Sequence, residues 1–304
     1  MSTMSDSPAV CCLDDLGLLS FRGPDTRKFL QGQLSNDTGK LLPGALLRTG
    51  LHTPQGRTLA VLALISGPLD AATPGAAADE EVLAVLPREL IVITAATLRR
   101  YVLRAKVAIS DRSASHRIYG VVAAAAPDGL PAAGSYPYDG LRALVIRRTE
   151  APAPPGEALA RTRWRALDIA AGLPQLYLPT SGQFVAQMLN LDQVGAIAFD
   201  KGCYTGQEVI ARAHYRGRVK RRMQRFVSHS PLHLVAGDAR QLGDGRSLRV
   251  IEAVQREDGR CEFLAVTALP GAAAEPDPTA PPTTPAAAAA RIEATALPLP
   301  YPLE

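Results

Sequence analysis

The spacing of apolar and polar positions divides the chain into short segments of alternating type. After a frayed tail of about nine residues, Leu13–Phe21 (LDDLGLLSF) reads as a strand with a turn before it. Gly23-Pro24-Asp25 breaks that strand, and Pro24 suits the first turn of a helix. Phe29, Leu30 and Leu34 then fall on one helical face. Ala45–Leu51 and Thr58–Ser66 read as two strands joined by a turn at Gln55-Gly56, the second nearly continuous in apolar residues. Glu81–Leu86 is a strand, and Pro87 opens a helix carrying Leu90, Ile91, Leu98 and Tyr101. Lys106–Ser110, Ile118–Ala124 and Leu141–Arg147 read as further strands. Gly67–Asp79 and the stretch between the last two strands are loops rich in Ala, Pro and Gly.

A linker, Ala151–Gly156 (APAPPG), leads to a helix with Leu159, Trp164, Leu167 and Ala171, which Gly172-Leu173-Pro174 ends. From Met223 onward the pattern becomes all-β. Met223–Val227, Ser247–Val254 and Cys261–Leu269 are strands, the last two joined by a hairpin turn at Glu257-Asp258-Gly259. Gly271–Ala289 is of low complexity and reads as a disordered excursion between strands. Arg291–Leu297 returns as the final strand and closes a small barrel. Interleaved short helices and strands indicate an α+β fold. The expected division is an α+β portion over 1–222, in two lobes built from discontinuous segments, and a β-barrel domain over 223–304.

At 304 residues the chain is long enough for two or three cored domains. A charged fraction of 20% beside 47% hydrophobic residues marks a globular protein. The net charge of +4 says little until its clustering is seen. Cys11, Cys12, Cys203 and Cys261 form no C-x-x-C pair and no ligand spacing for zinc or an iron–sulfur cluster. They form no disulfide framework either, which suits a reducing cytosol and a cytoplasmic location. The N-terminus lacks the basic-then-apolar pattern of a signal peptide. No apolar run is long enough to span a bilayer, Val121–Ala126 (VVAAAA) included, so no membrane association is expected.

The chemistry concentrates in Phe199–Arg222, FDKGCYTGQEVIARAHYRGRVKRR. Thr205-Gly206-Gln207-Glu208 has the S/T-x-x-E form of a capping box, which would start a helix through Val209, Ile210 and Ala213 and let it end by Gly217. Cys203 would lie just outside that helix start, with Lys201 beside it, and both features favour a thiolate. The plain alternative is a cap with a small buried cysteine. Arg212, Arg216, Arg218, Lys220, Arg221, Arg222 and Arg225 follow with no acidic residue among them. They suit a solvated surface, a patch for RNA phosphates, or a clamp for the carboxylates of a small anionic ligand. If the run is a strand, Arg218 and Lys220 share a face and Arg221 points away. No Ser-His-Asp pattern, phosphate-binding glycine loop or histidine cluster is present, and the five histidines are scattered.

The string KGCYTGQE resembles the signature of the YgfZ family of folate-binding proteins. That family is related to the tetrahydrofolate-dependent aminomethyltransferase of glycine cleavage and to a mitochondrial iron–sulfur assembly factor. The resemblance extends to Ser181–Phe199 (SGQFVAQMLNLDQVGAIAF), where the family usually has Pro and this chain has Ala186 before Gln187. It includes ARAHYRGRVKR, Gly23–Asp37 (GPDTRKFLQGQLSND), Gln55–Arg57 and Leu297–Tyr301 (LPLPY), the last like the family's final strand. It implies an aminomethyltransferase-like folate-binding fold of mixed helix and antiparallel-sheet lobes, with the small barrel at the C-terminal end. It also implies a pocket for tetrahydrofolate or a one-carbon derivative, with contacts at Trp164, Leu16, Gln187, Tyr204, Glu208 and Arg212. Trp164, in W-x-x-L-x-I-x-x-G-x-P, matches a family tryptophan associated with folate, for which it would be a flat stacking wall. Leu16 stands where the family has an aromatic contact, and it offers an apolar wall without stacking.

The aminomethyltransferases carry acidic residues after the glycine turn near the N-terminus. Gly56–Leu62 (GRTLAVL) has none, so acid–base work by that group is absent. The reading is therefore a folate-binding accessory factor for iron–sulfur proteins, including enzymes that methylthiolate tRNA, with Cys203 as the reactive thiol and Lys201 poising it. Its partners would be folate, iron–sulfur client enzymes and, through the 212–225 basic run, RNA. The alternatives are a folate-dependent one-carbon transferase acting on tRNA or a small molecule, and an interaction scaffold with a vestigial pocket.

Overall fold

The computed structural model describes residues 7–67, 81–123, 134–217, 219–271 and 290–303. Almost all of the expected loop at 67–79, much of the one expected between Ala124 and Leu141, almost all of the excursion at 271–289, and Arg218 lie outside these residues. The chain forms two compact units, each assembled from separate segments.

The first unit comprises the chain up to Gln33, Asp37–Arg48 and Leu62–Trp164. In chain order its elements are β1 (Ala9–Cys12), β2 (Leu16–Arg22), α1 (Thr26–Gln33), β3 (Leu46–His52), β4 (Thr58–Ser66), β5 (Glu81–Pro87), α2 (Ile91–Arg99), β6 (Ala108–Asp111), β7 (His116–Val122), β8 (Ser135–Pro137), β9 (Arg142–Arg148), β10 (Glu157–Ala158) and the start of α3 (Arg161–Ala170). Strands β3 and β4 run on into the second unit. One sheet has the order β3-β4-β5-β2-β6, the other β10-β1-β7-β9-β8. β2 lies between two neighbours, and consecutive Leu18 and Leu19 are both fully buried, so both faces of the sheet are covered there. That is why β2 carries apolar residues at adjacent positions instead of in strict alternation. Leu18, Ile65, Leu83 and Val85 pack with Ile118, Leu144, Ile146 and Trp164 in one core.

Three details differ from the sequence reading. The expected frayed tail gives way to β1 at Ala9, which pairs antiparallel with β7. Glu157–Ala158, just past the expected linker, pairs parallel with β1 as β10. Pro87 does not open a helix: its backbone is extended, it pairs opposite Leu16 as the last residue of β5, and a 3₁₀ turn at Arg88–Leu90 precedes α2. Proline tolerates a strand end because no N–H is required of it there.

The second unit comprises Leu34–Asn36, Thr49–Val61 and the chain from Arg165. It contains the rest of α3, then α4 (Gln207–Arg216), β11 (Arg221–Pro231), β12 (Ala239–Leu242), β13 (Ser247–Gln255), β14 (Arg260–Ala268), β15 (Arg291–Ile292) and β16 (Ala294–Leu297). The strand order is β15-β12-β13-β14-β11-β16. The two outer strands are consecutive pieces of one segment. Ile292 pairs parallel with Leu242 on β12, while Leu297 pairs antiparallel with Arg225 on β11. This segment brings the sheet's ends together into the expected, nearly closed barrel. Phe226 and Phe263 stack inside it at 5.5 Å, with Leu248, Val250, Ala265 and Ile292 around them. The LPLPY stretch is strand only at Leu297. Its Tyr301 hydroxyl instead donates to Gly172 O at 2.6 Å, tying down the end of α3.

Glu252 on β13 is buried, and Tyr177 Oη donates to its carboxylate. Burial pushes its pKa up to about 7, against the opposing pull of Arg165 and of the Tyr177 hydrogen bond. A folded-state pKa above the unfolded value means the folded chain binds the extra proton. This contribution is therefore fully present below the ordinary glutamate pKa of about 4.3 and is lost as pH rises through about 7. Glu252→Gln is expected to flatten the fall in melting temperature across that window. An unchanged pH profile would contradict this assignment.

Candidate functional site

The KGCYTGQE motif is held by buried polar contacts on either side of an exposed cysteine. Immediately after α1, Leu34, Ser35 and Asn36 are buried, and their polar groups are used in the second unit. Ser35 Oγ donates to Ala196 O at 2.9 Å, and Asn36 Nδ2 donates to Gly195 O at 2.8 Å. Lys201 Nζ donates to the carbonyls of Leu34 and Asn36 at 2.7 and 2.9 Å, and lies 5.0 Å from the Tyr204 ring centroid. Lys201 thus staples the motif to the loop after α1 while its charge faces an aromatic ring. Tyr204 is buried, and burial raises its pKa to about 12, so it is an anchor and not an acid at neutral pH. Between these two fixed side chains, Gly202 and Cys203 are exposed. Cys203 is a free thiol.

The helix after the motif starts differently from the expected capping box. The residue preceding α4 is Gly206, with φ +83°, and it makes no side-chain cap. Half of a box forms one residue earlier: Tyr204 N donates to Gln207 Oε1 at 3.3 Å, while Gln207 N donates to Tyr204 O at 3.2 Å. Glu208 does not reach back. Its carboxylate accepts from Arg212 Nη2 at 2.8 Å, an i,i+4 pair with side chains 84% and 71% exposed. The register moves because Gly206 packs on the β3–β4 turn. A Cβ there would stand 2.5 Å from Thr53 O, and one at Gly56 would stand 2.8 Å from Val209 Cβ. Only two glycines allow so close an approach of helix start and turn.

Behind this interlock lies His52, which sequence reasoning passed over as one of five scattered histidines. It is fully buried, and desolvation lowers its pKa to about 3, so it is neutral. Its Nδ1 lies 3.2 Å from Thr58 Oγ1, and its ring is 6.4 Å from that of Tyr204. Gln187, in a 3₁₀ turn at Ala186–Leu189, is also buried, and its Nε2 donates to Ile210 O of α4 at 2.7 Å. Arg57, just past the Gly56 turn, donates to Gln183 O at 2.6 Å.

The basic run is not one patch. Arg222 is buried and forms a two-pronged pair with Asp192 at 2.9 and 3.0 Å. Arg225 pairs with Glu262 at 2.6 Å. Sequence adjacency grouped these cations, and partners distant in sequence separate them.

Cys203, Lys201, Tyr204, Gln187, Glu208 and Arg212 belong to the second unit, and Leu16 and Trp164 to the first. Trp164 is 3% exposed within the core cluster, and Leu16 packs against that cluster. The indole lies against Gly120, where a Cβ would stand 2.5 Å from the ring, and the Arg142 guanidinium lies 4.8 Å from its centroid. Trp164 is thus a core residue of the first unit. Arg142 also lies over Tyr138 at 4.9 Å, and Arg48 over Tyr138 at 4.4 Å, completing an alternating cation–aromatic stack that no sequence spacing announced. Among the described residues no group of three or more His, Cys, Asp or Glu could hold a metal, and no helix is long and apolar enough to cross a membrane.

No family model matches the chain. It is 33% identical over 208 residues to an uncharacterized protein of Haemophilus influenzae, covering 68% of this chain and 69% of the relative. It is 30% identical over 277 residues to the tRNA-modifying protein YgfZ of Klebsiella pneumoniae, covering 82% and 81%. The YgfZ of Cronobacter sakazakii matches at 30% over 278 residues, covering 82% and 81%. Among solved structures, the glycine cleavage system aminomethyltransferase T of Bartonella henselae superposes with a TM-score of 0.65 at 13% identity, over 86% of this chain and 78% of that one. At that identity the likeness establishes the shared aminomethyltransferase fold.

Proposed function

The chain belongs to the YgfZ family, and from that premise we propose that it is a tetrahydrofolate-binding factor supporting the iron–sulfur enzymes that modify tRNA, with Cys203 as its working thiol. The observation that carries this reading is the placement of Cys203. It is exposed on a short loop whose flanks, Lys201 and Tyr204, are immobilised by hydrogen bonds and burial. A structural cysteine would be buried, as Cys11 and Cys261 are, and burial drives both of those thiols up to about 11. A reactive one needs access and a rigid mount. The fold shared with the aminomethyltransferase supports a folate ligand, and the absence of a carboxylate in Gly56–Leu62 argues for a role other than aminomethyl transfer.

Cys203→Ala is expected to melt like the parent chain, because the side chain supports no packing. In cells lacking their own copy, it is expected to fail to restore methylthiolated tRNA. Full restoration by Cys203→Ala would remove the thiol from the mechanism. Calorimetric titration with tetrahydrofolate tests the ligand separately, and absence of heat at millimolar folate would exclude it.

A further inference from the structure

Helix α2 (Ile91–Arg99, IVITAATLR) carries apolar side chains on both of its faces. Ile91, Thr94, Ala95 and Leu98 are buried in the first unit. Val92, Ile93 and Ala96 are exposed, Val92 at 76%. A helix that is apolar all round is normally covered on every side. The contrast within this fold is α3, whose exposed positions are Arg161, Thr162 and Arg163. The backbone of Arg100 is still helical, with φ −62° and ψ −22°, so Val92, Ala96 and Arg100 follow at four-residue steps along the outer face. Hydrogen bonds from Tyr101 N to Leu98 O and from Val102 N to Arg99 O then turn the chain. Beyond them Tyr101, Leu103 and Arg104 are all exposed, Leu103 at 87%. No acidic residue occurs between Glu89 and Asp111. Arg99 donates to Ile109 O at 3.0 Å, whereas Arg100 and Arg104 form no ion pair among the described residues.

Exposed apolar patches with a polar border mark interaction sites, and aliphatic side chains edged by arginine and tyrosine have the composition of a protein–protein interface. We propose that the outer face of α2 and the turn after it dock a partner protein whose own face sets carboxylates around aliphatic side chains. Val92, Ile93, Ala96 and Leu103 supply the apolar contact, and Arg100 and Arg104 meet the carboxylates. Charge selects this occupant. A second copy meeting the face symmetrically would set arginine against arginine. Helices that lie in a membrane surface insert Trp, Phe or Leu, whereas the outer face of α2 presents Val, Ile and Ala. RNA, held mainly through its phosphates, would leave those aliphatic side chains unused.

The test places a photocrosslinker on the ledge, as Ala96→p-benzoylphenylalanine, in the full chain expressed in place of the cells' own copy. Irradiation is expected to give one main protein adduct, and peptide sequencing should place the crosslink in a segment of Asp or Glu interleaved with aliphatic residues. Adding Arg100→Glu with Arg104→Glu should cut the adduct about tenfold, and adding Leu103→Ser instead should do the same. These positions are exposed, so the melting temperature should stay that of the parent. A labelled peptide of the crosslinked segment, titrated with the parent chain, should bind about tenfold more weakly at ~0.5 M than at ~0.05 M salt. The proposal is overturned by a main adduct to a second copy of the chain, to lipid or to nucleic acid, or by the absence of a main adduct. It is likewise overturned by a crosslinked segment without acidic residues, by an adduct undiminished in the charge-reversed chain, or by peptide binding that salt does not weaken. The readout does not pass through tRNA modification, so the folate reading can fail while this one holds.

Discussion

Asp192→Ala should lower the stability of the chain by roughly 3 kcal/mol, at the low end of the range for breaking a buried ion pair. The Arg222 guanidinium is buried and sits against both carboxylate oxygens of Asp192. Removing the carboxylate leaves a cation out of water without its counter-charge, and that penalty dominates the loss. The value falls at the low end because Nη1 also donates to Gln187 O at 3.0 Å, so part of the group stays satisfied. Two companion variants separate charge from packing. Asp192→Asn keeps an acceptor in place and should cost less. The double variant Asp192→Leu with Arg222→Met removes both charges and should recover most of the loss. Chemical denaturation measures all three. A single variant within about 0.5 kcal/mol of the parent, the range of ordinary surface changes, would mean that Arg222 is solvated in the native chain.

Gly206→Ala is expected to cost at least ~2 kcal/mol and to silence Cys203 along with it. Holding an alanine at φ +83° costs about 1–2 kcal/mol by itself. The added Cβ would also stand 2.5 Å from Thr53 O, a backbone atom that cannot rotate aside. Relief requires the helix start to lift off the β3–β4 turn, and the loop bearing the thiol would move with it. Gly202→Ala is the contrasting variant, because its Cβ would meet nothing within 4 Å. It should leave stability within a few tenths of a kcal/mol. Equal melting temperatures for the two variants would mean that the interlock does not position the motif.

Strands longer than six residues and α4 were legible from the residues alone, because apolar runs and glycine stops are local signals. The same locality explains the misses. β1, β8 and β10 have two to four residues each, too few to show a period. The helix start was placed one residue early because Thr205-x-x-Glu208 satisfies the capping pattern, whereas the winning constraint, the approach of Gly206 to Thr53, joins residues about 150 apart. Lys201 was legible as a cation near the thiol, but not as a donor to Leu34 and Asn36. Trp164 packs against Gly120 and Arg142, contacts that nothing in its sequence neighbourhood announces. His52 gave no signal. Its position at the end of a strand beside a glycine turn is a common one, and only its burial sets it apart.

The short segment from Arg291 to Leu297 touches both ends of the barrel sheet. During synthesis, every other strand of that sheet leaves the ribosome before this one does. Until it docks, β11 and β12 each present a bare ladder of N–H and C=O groups to any passing chain. Release of this one segment would uncover both ladders together, opening two edges to pairing with another chain.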